Sequence, residues 1–299
     1  MTTSTSVSSL GKESKELGWV KWLRAWYLLM SEILFQKIYA RHLQNPFPLP
    51  PLGGINFIVT GATSGIGLEI SKQLVESGAY VFMAESGAHV EVMELDLLSL
   101  ESVVKFSEAW NSTLRPLHIL INNGGIFSMG QPQTFSKDGF ETHLQVNHLA
   151  PAFLSILFLP SLQKGAPSRI VNMNSLMHRF CVINTSDMNF TQAVSLQKDI
   201  PKFVVEFGHS YLPFLFNAQE GSRSALFAAT DPDVTKYCTK LKENEWPVCA
   251  YIASSCRPII PSREAHNVGT SQSLWETTLQ MVGLPLDAVE ELLTEFCKL

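Results

Sequence analysis

Long uncharged apolar runs are scarce in this sequence. Between Gly18 and Leu43, a segment rich in aromatic and aliphatic residues, the longest run without a charge is Ala25 to Ser31. That is far short of the ~20 residues a membrane-spanning helix needs. Paired cysteines are missing as well. The five cysteines (Cys181, Cys238, Cys249, Cys256 and Cys297) are odd in number, with no Cys-x-x-Cys pair and no Cys/His cluster of ligand spacing. This argues against a disulfide framework and a structural zinc site, and no metal site is expected. Scattered reduced thiols suit an intracellular chain, cytoplasmic or peripherally membrane-associated. A basic stripe and Lys/Arg runs are also lacking and the net charge is −5, so nothing argues for a nucleic-acid partner. With 45% hydrophobic and 16% charged residues, the 299-residue chain has ample apolar material for one large α/β domain.

The N-terminal residues divide into three parts. Residues 1–17 open with a Ser/Thr-rich stretch and are expected to be disordered. Residues 18–44 form an amphipathic helix, because Trp19, Trp22, Leu23, Trp26, Met30, Ile33 and Leu34 recur at three- and four-residue steps. Two readings of residues 18–43 stand side by side: a helix lying in a membrane interface, making peripheral contact with it, or a helix packing its stripe on the folded domain. Residues 45–54 (Asn45-Pro-Phe-Pro-Leu-Pro-Pro-Leu-Gly-Gly) form a proline-stiffened linker, and the domain occupies residues 55–299.

The domain begins with Ile55 to Thr60, an apolar run of strand type. It enters Gly61-Ala-Thr-Ser-Gly65-Ile-Gly67 and then a helix, Leu68 to Ser77, that Gly78 stops. A strand, glycine turn and helix in that order make a dinucleotide-binding context. Glycine lets the backbone turn sharply and approach a pyrophosphate, and the helix N-terminus presents N–H groups to its charge. Further strands are expected at Ala79–Ala84, Val90–Leu95, Leu117–Asn122 and Arg169–Asn174. Helices are expected at Leu100–Leu114, Asp138–Asn147 with a continuation to Leu162, Ser222–Thr230, Val268–Val282 and Leu286–Leu299. Only Glu85 to His89 separate the second and third strands, too few for a crossover helix, so a segment is missing there or the pairing is irregular.

These motifs resemble the short-chain dehydrogenase/reductase family. Thr60-Gly-Ala-Thr-Ser-Gly-Ile-Gly67 is similar to its cofactor turn, and Asp96, followed by Leu97, matches its adenine-contacting acid. Asn122-Asn-Gly-Gly125 is similar to its Asn-Asn-Ala-Gly motif, with Gly124 in the alanine's place. Asn147 and Ser175 match two members of its catalytic tetrad. The aromatic N-terminal helix, the Pro-Leu-Pro linker, Asn217 to Pro232, Trp246 to Cys249 and Glu264 to Asn267 resemble the plant FOREVER YOUNG-type branch, close to retinol-dehydrogenase-like reductases. The resemblance implies a Rossmann-type, doubly wound parallel sheet. It also implies NAD(P) held by Thr60, Gly61, Thr63, Ser64, Gly65, Ile66, Gly67, Asp96, Leu97, Asn123, Gly124 and Gly125. The implied chemistry is hydride transfer to or from a small carbonyl or alcohol, with Ser175 orienting the substrate oxygen.

That chemistry also needs a tyrosine with a lysine four residues later. Position +4 is Ser31 after Tyr27, Leu43 after Tyr39, Ala84 after Tyr80, Leu215 after Tyr211, Leu241 after Tyr237 and Ser255 after Tyr251. None is lysine. By the family's plan, the helix that bears this tyrosine and a sixth strand are missing after Ser175, so the sheet is incomplete and cofactor binding is expected to be weakened. Cys249–Cys256 would then have to pair directly with the fifth strand. Tyr211, Lys198 with Lys202, and His178 are conceivable substitutes, but apolar neighbours, solvation and a plain loop account for them better. Glu85 would favour NAD, yet the deciding region is altered. The readings that follow are an impaired family member, a reductase with an unusual acid, a non-enzymatic nucleotide-binding scaffold, and an unstable splice or gene-model product.

Overall fold

The computed structural model describes residue 27 and residues 30–83, 90–128, 131–175, 184–189, 217–243, 250–261, 265 and 267–296. Expectations resting on residues 1–26, Glu85, His178, Lys198, Lys202, Tyr211 and Trp246 to Cys249 lie outside them.

Five short strands build one parallel sheet: β1 (Asn56–Val59), β2 (Tyr80–Met83), β3 (Val90–Val92), β4 (Ile119–Asn122) and β5 (Arg169–Asn172). Their order is β3-β2-β1-β4-β5, so direction reverses about β1 and the β1/β4 boundary is the switch point. The strands read as apolar runs because both faces of the sheet are covered. Phe57 and Val59 of β1, with Ile119 and Ile121 of β4, point into one core together with Ile70, Leu74, Ala225 and Leu226. Ile58 and Leu120 point the other way, into a core with Val103, Phe106, Trp110, Leu149 and Phe153.

The first core is covered by α2 (Gly65–Glu76) and by the C-terminal helix that starts at Ala218. The second is covered by α3 (Leu100–Ser112) and by the composite helix that follows β4. That helix runs as α4 (Thr142–Leu144), a π turn (Gln145–Leu149), α5 (Ala150–Leu157) and α6 (Leu159–Lys164). Upstream, residues 30–40 are helical and are called α1. Ile33, Gln36 and Ala40 of α1 are buried. The proline-rich segment packs on the domain: Phe47 N donates to Gln73 Oε1, and Leu52 is buried.

Four expectations need correction. First, β2 and β3 pair in regular parallel register, Val81 with Val90 through Met83 with Val92, across a six-residue link. Six residues reach about 20 Å, and strands this short need a return path of only roughly 10 Å, so the link can close the connection. Irregular pairing is excluded, and the alternative of a missing segment stands. Second, among the described residues Ala250 to Cys256 does not pair with β5. Its one bridge joins Ile252 to Pro258. Ala253 and Cys256 are tied in a turn, and Ser254 Oγ bonds Gln36 Oε1 of α1, so the segment folds against the N-terminal helix instead.

Third, the helix expected from Asp138 begins only at Thr142. Gly139 has φ +83°, a bridge joins Phe135 to Glu141, and Asp138 Oδ2 is engaged by Leu100 N and Gln145 Nε2. The preceding residues are thereby held as a turn. Fourth, the helix expected at Ser222–Thr230 starts earlier: α7 spans Ala218–Thr230, ending where expected, and a further helix, α8 (Pro232–Glu243), starts at once. Asp231 Oδ1 accepts Asp233 N–H, and proline fits the first helical position because its missing N–H is not needed there. The chain closes with α9 (Val268–Met281) and α10 (Ala288–Phe296).

Candidate functional site

The carboxyl ends of the parallel strands carry the residues singled out in the sequence. β1 leads into Thr60 and Gly61, β4 into Asn123 to Gly125, β5 towards Ser175, and β3 towards Asp96 and Leu97. In open α/β sheets ligands bind in the crevice beyond these ends, at the switch point.

At the crevice two loops interlock through one hydroxyl. Thr60 is buried, and its Oγ1 accepts the N–H groups of Asn123 at 3.0 Å and Gly124 at 2.9 Å. Asn123 reciprocates, donating from Nδ2 to Thr60 O at 3.0 Å and Gly61 O at 3.3 Å. Backbone contact is so close that side chains are excluded. A Cβ on Gly67 would lie 2.2 Å from Gly61 O and 2.4 Å from Asn123 Nδ2, and one on Gly61 would lie 2.7 Å from Gly124 Cα. Gly61 has φ +64° and Gly65 φ +55°, values that favour glycine.

Thr63, Ser64, Gly65 and Ile66 are exposed at the start of α2. Ser64 takes the N-cap position in extended conformation without a side-chain cap, and the first turn carries no acidic residue. The N–H groups of that turn therefore face the crevice with positive partial charge and no built-in anion. A glycine cradle beside such a helix end fits the pyrophosphate of a dinucleotide. Leu97 closes the other side, since a Cβ on Gly124 would come within 2.8 Å of Leu97 Cδ1. Asp96 is exposed, its Oδ1 accepting Leu98 N and its backbone N–H bonding Ser102 Oγ.

Asn147 lies inside the π turn, a helical irregularity that recurs at functional sites. Its amide is bidentate to Ile126: Oδ1 accepts Ile126 N at 2.8 Å, and Nδ2 donates to Ile126 O at 2.9 Å. One turn earlier, His143 Nε2 accepts Ser128 N while its Nδ1 donates to Glu141 Oε1, and Glu141 Oε2 caps α4 at Leu144 N. This clamp on the loop after β4 carries no sequence motif, and only a Glu three residues before an apolar position hinted at it. His148 Nε2 meets Thr278 Oγ1 of α9 at 2.8 Å, and burial holds its pKa below the ordinary value. Ser175 is exposed at the end of β5. The thiol of buried Cys256, on the far side near α1, is pushed up to about 11 by burial and is a poor nucleophile. Among the described residues no group of three or more His, Cys, Asp or Glu is placed to hold a metal ion.

A profile of the short chain dehydrogenase family matches residues 56–186. The chain is 41% identical to the Arabidopsis thaliana protein Dehydrogenase/reductase SDR family member FEY, over 98% of this chain and 95% of that one. It is 29% identical to human Retinol dehydrogenase 12, over 78% of this chain and 88% of the other. It is 30% identical to the WW domain-containing oxidoreductase of Gallus gallus, over 77% and 69%. A crystal structure of an uncharacterised protein from Mycobacterium paratuberculosis superposes with a TM-score of 0.59 at 25% identity, covering 80% of this chain and 97% of that one. The Arabidopsis comparison spans 359 positions although this chain has 299 residues, so at least 60 positions (359 less 299) have no counterpart here.

Proposed function

This chain belongs to the short-chain dehydrogenase/reductase family of oxidoreductases, and from that premise we propose that it retains the NAD(P)-binding half of the machinery but is impaired in hydride transfer between carbonyl and alcohol. One observation carries the reading. The interlocked Thr60–Gly124 crevice is complete, while no tyrosine of the sequence has a lysine four residues on.

In this reading the first turn of α2 and the Gly61–Gly67 cradle hold the pyrophosphate. Asp96 and Leu97 flank the adenosine side, and Asn123 to Gly125 line the floor. Bound NAD(P) supplies or accepts the hydride. Ser175 Oγ donates a hydrogen bond to the substrate oxygen and orients it. Asn147 holds the Ile126 backbone, which fixes the loop that lines the crevice. What is lacking is a phenol to give its proton to the alkoxide, with an ammonium group to lower that phenol's pKa. A positioned acid or base is worth about 10²–10⁴ in rate. The remaining residues bind and orient but do not move that proton. The excess of aligned positions over residues supports the same reading, being of the size of a helix–strand unit with a crossover segment.

Two measurements test this. Thermal unfolding with NAD+, NADH, NADP+ and NADPH should show a dose-dependent rise in midpoint for at least one of them, because a ligand that binds only the folded state stabilises it. Single-turnover mixing of the chain and NADPH or NADH with medium-chain and aromatic aldehydes should leave the reduced-nicotinamide absorbance unchanged. A stoichiometric loss of absorbance would end the reading.

A further inference from the structure

The first helix has two apolar sides, and only one of them is used. At about 100° per residue, Ile33, Gln36 and Ala40 share the face that is buried on the domain. Gln36 is bonded by Ser254, and Arg223 Nη1 reaches the Ala40 carbonyl at the C-terminal end of α1, so the helix is fixed in rotation. Leu34 and Ile38 fall within about 40° of one another on the opposite side, with Phe35 and Tyr39 beside them, and Tyr27 precedes the helix. These five are exposed, Tyr27 by 73%, Leu34 by 62% and Phe35 by 58%. A packed helix that presents Leu34, Phe35, Ile38 and Tyr39 to solvent has a second face without a partner among the described residues.

The rims of that face identify the partner. Lys37 and Arg41 follow one edge of the helix. On the other, the guanidinium of Arg257 sits 5.0 Å from the centre of the Tyr39 ring, which in turn packs on Phe35 at 4.7 Å. Cations thus border the apolar strip on both sides, with Glu32, bonded to Gln36, the one acid of α1, beside Tyr39, although the chain as a whole carries net charge −5. A second copy docked face to face would bring these like charges together. An anionic bilayer surface would neutralise them, take Leu34 and Ile38 below the headgroups, and leave Tyr27 and Tyr39 at headgroup depth. Among the described residues no helix is long and apolar enough to cross a membrane, so contact by this face would be in the interface plane.

We propose that the exposed face of α1 (Leu34, Phe35, Ile38 and Tyr39, with exposed Tyr27 before the helix, bordered by Lys37, Arg41 and Arg257) is a docking surface for an anionic lipid bilayer. It holds the domain peripherally on the membrane. The surface includes none of the crevice residues and does not depend on catalytic competence.

The test is flotation of the full chain with vesicles of neutral phosphatidylcholine, or of the same lipid with one third phosphatidylserine. The wild-type chain should float with the anionic vesicles, and 0.5 M salt should lower the bound fraction. Leu34→Glu/Ile38→Glu should cut the partition coefficient at least tenfold, and Lys37→Gln/Arg41→Gln should cut it severalfold on anionic vesicles only. Unchanged thermal midpoints would show that both variants are folded. Ile33→Glu, on the packed face, should lower the midpoint instead. Wild-type chain remaining at the bottom, or Leu34→Glu/Ile38→Glu floating as well as wild type, would overturn the proposal. So would a lipid-free dimer in light scattering that Leu34→Glu/Ile38→Glu abolishes, since a second copy would then be the occupant.

Discussion

The two flanks of β4 differ in how completely they are built. Towards β1, strand pairing continues into the interlocked loops: Thr60 N bonds Ile121 O, Thr60 Oγ1 gathers two amides, and Gly61 and Gly67 leave no room for a methyl group. Towards β5 the sheet runs out. Among the described residues β5 pairs only with β4, and Ile170 is 39% exposed, whereas Leu120 beside it is fully buried. Arg169 ties this edge to the C-terminal helices through Ala228 O, Asp231 O and Thr235 Oγ1, but that is side-chain bracing and not a strand. On the proposed reading, nucleotide binding and proton transfer are separable parts of such a fold. The first is made by local turns at two adjacent strands. The second depends on a unit that comes later in the chain.

The contrast can be broken most directly at Gly67. Gly67→Ala forces a methyl group into the Gly61 carbonyl, where only backbone can yield. It should cost about 3 kcal/mol or more, the upper end for overpacking, and abolish any nucleotide-induced rise in thermal midpoint. If that rise survives, the crevice is not where the nucleotide binds. Next comes a matched pair on adjacent strands. Leu120→Ala should lose about 2–5 kcal/mol in urea unfolding, as buried leucines do. Ile170→Ala should lose clearly less, under about 2 kcal/mol. Equal losses would mean that the β5 edge is covered as tightly as the centre.

Thr60→Val comes next, removing an acceptor from two N–H groups while keeping the shape of the side chain. A loss of about 1–3 kcal/mol is expected by chemical denaturation. A weaker effect is expected from acid. Burial holds His118 and His148 below their ordinary 6.5, and His118 Nδ1 also accepts Asn56 N–H in its neutral form. Below 6.5 the unfolded chain takes up protons that the folded chain declines. The stability supplied by the neutral rings is therefore present above that pH and falls as pH drops through 6.5 towards the lower folded values. The thermal midpoint should decline from pH 7 to pH 5, and His148→Gln should flatten the decline. An unchanged slope would count against burial as its cause. Smallest of all, Gly124→Ala should change stability by less than about 1 kcal/mol. The nearest atom is a terminal methyl of Leu97, which can rotate aside, Thr60 Oγ1 at 3.2 Å and Gly61 N at 3.3 Å need give only slightly, and alanine is the residue the family's motif has at this position.

These differences track what the sequence made legible. The β1/β4 crevice could be read in advance because its geometry is carried by residues with no substitute: glycines at the turn and apolar runs either side. The strands were legible too, since Phe57, Ile58 and Val59 are all buried and leave no alternation to misread. Elsewhere the same residue types carried two meanings. Pro232 lies just past the helix end expected at Thr230 and is also a start, and only the bond from Asp233 N to Asp231 reveals the second helix. The few residues between β2 and β3 left open a missing segment or irregular pairing, and the regular register removes only the second. The fate of Ala250 to Cys256 depended on a contact with α1 more than two hundred residues away, which no local pattern records. The π turn was equally hidden, since Gln145 to Leu149 have ordinary helical side chains. It is held by tertiary bonds from Gln145 to Asp138, Asn147 to Ile126 and His148 to Thr278.

That π turn sets the phase of everything after it. An α-helix advances about 100° per residue, so one surplus residue in the turn rotates the whole downstream segment by that angle relative to an uninterrupted coil. Phe153, Leu154 and Phe158 face the sheet only because the surplus is present. A one-residue deletion between positions 145 and 149 would keep every chemical group of α5 and α6 while swinging their greasy side into water. Here the reading frame of the helix, more than its composition, decides which way it faces.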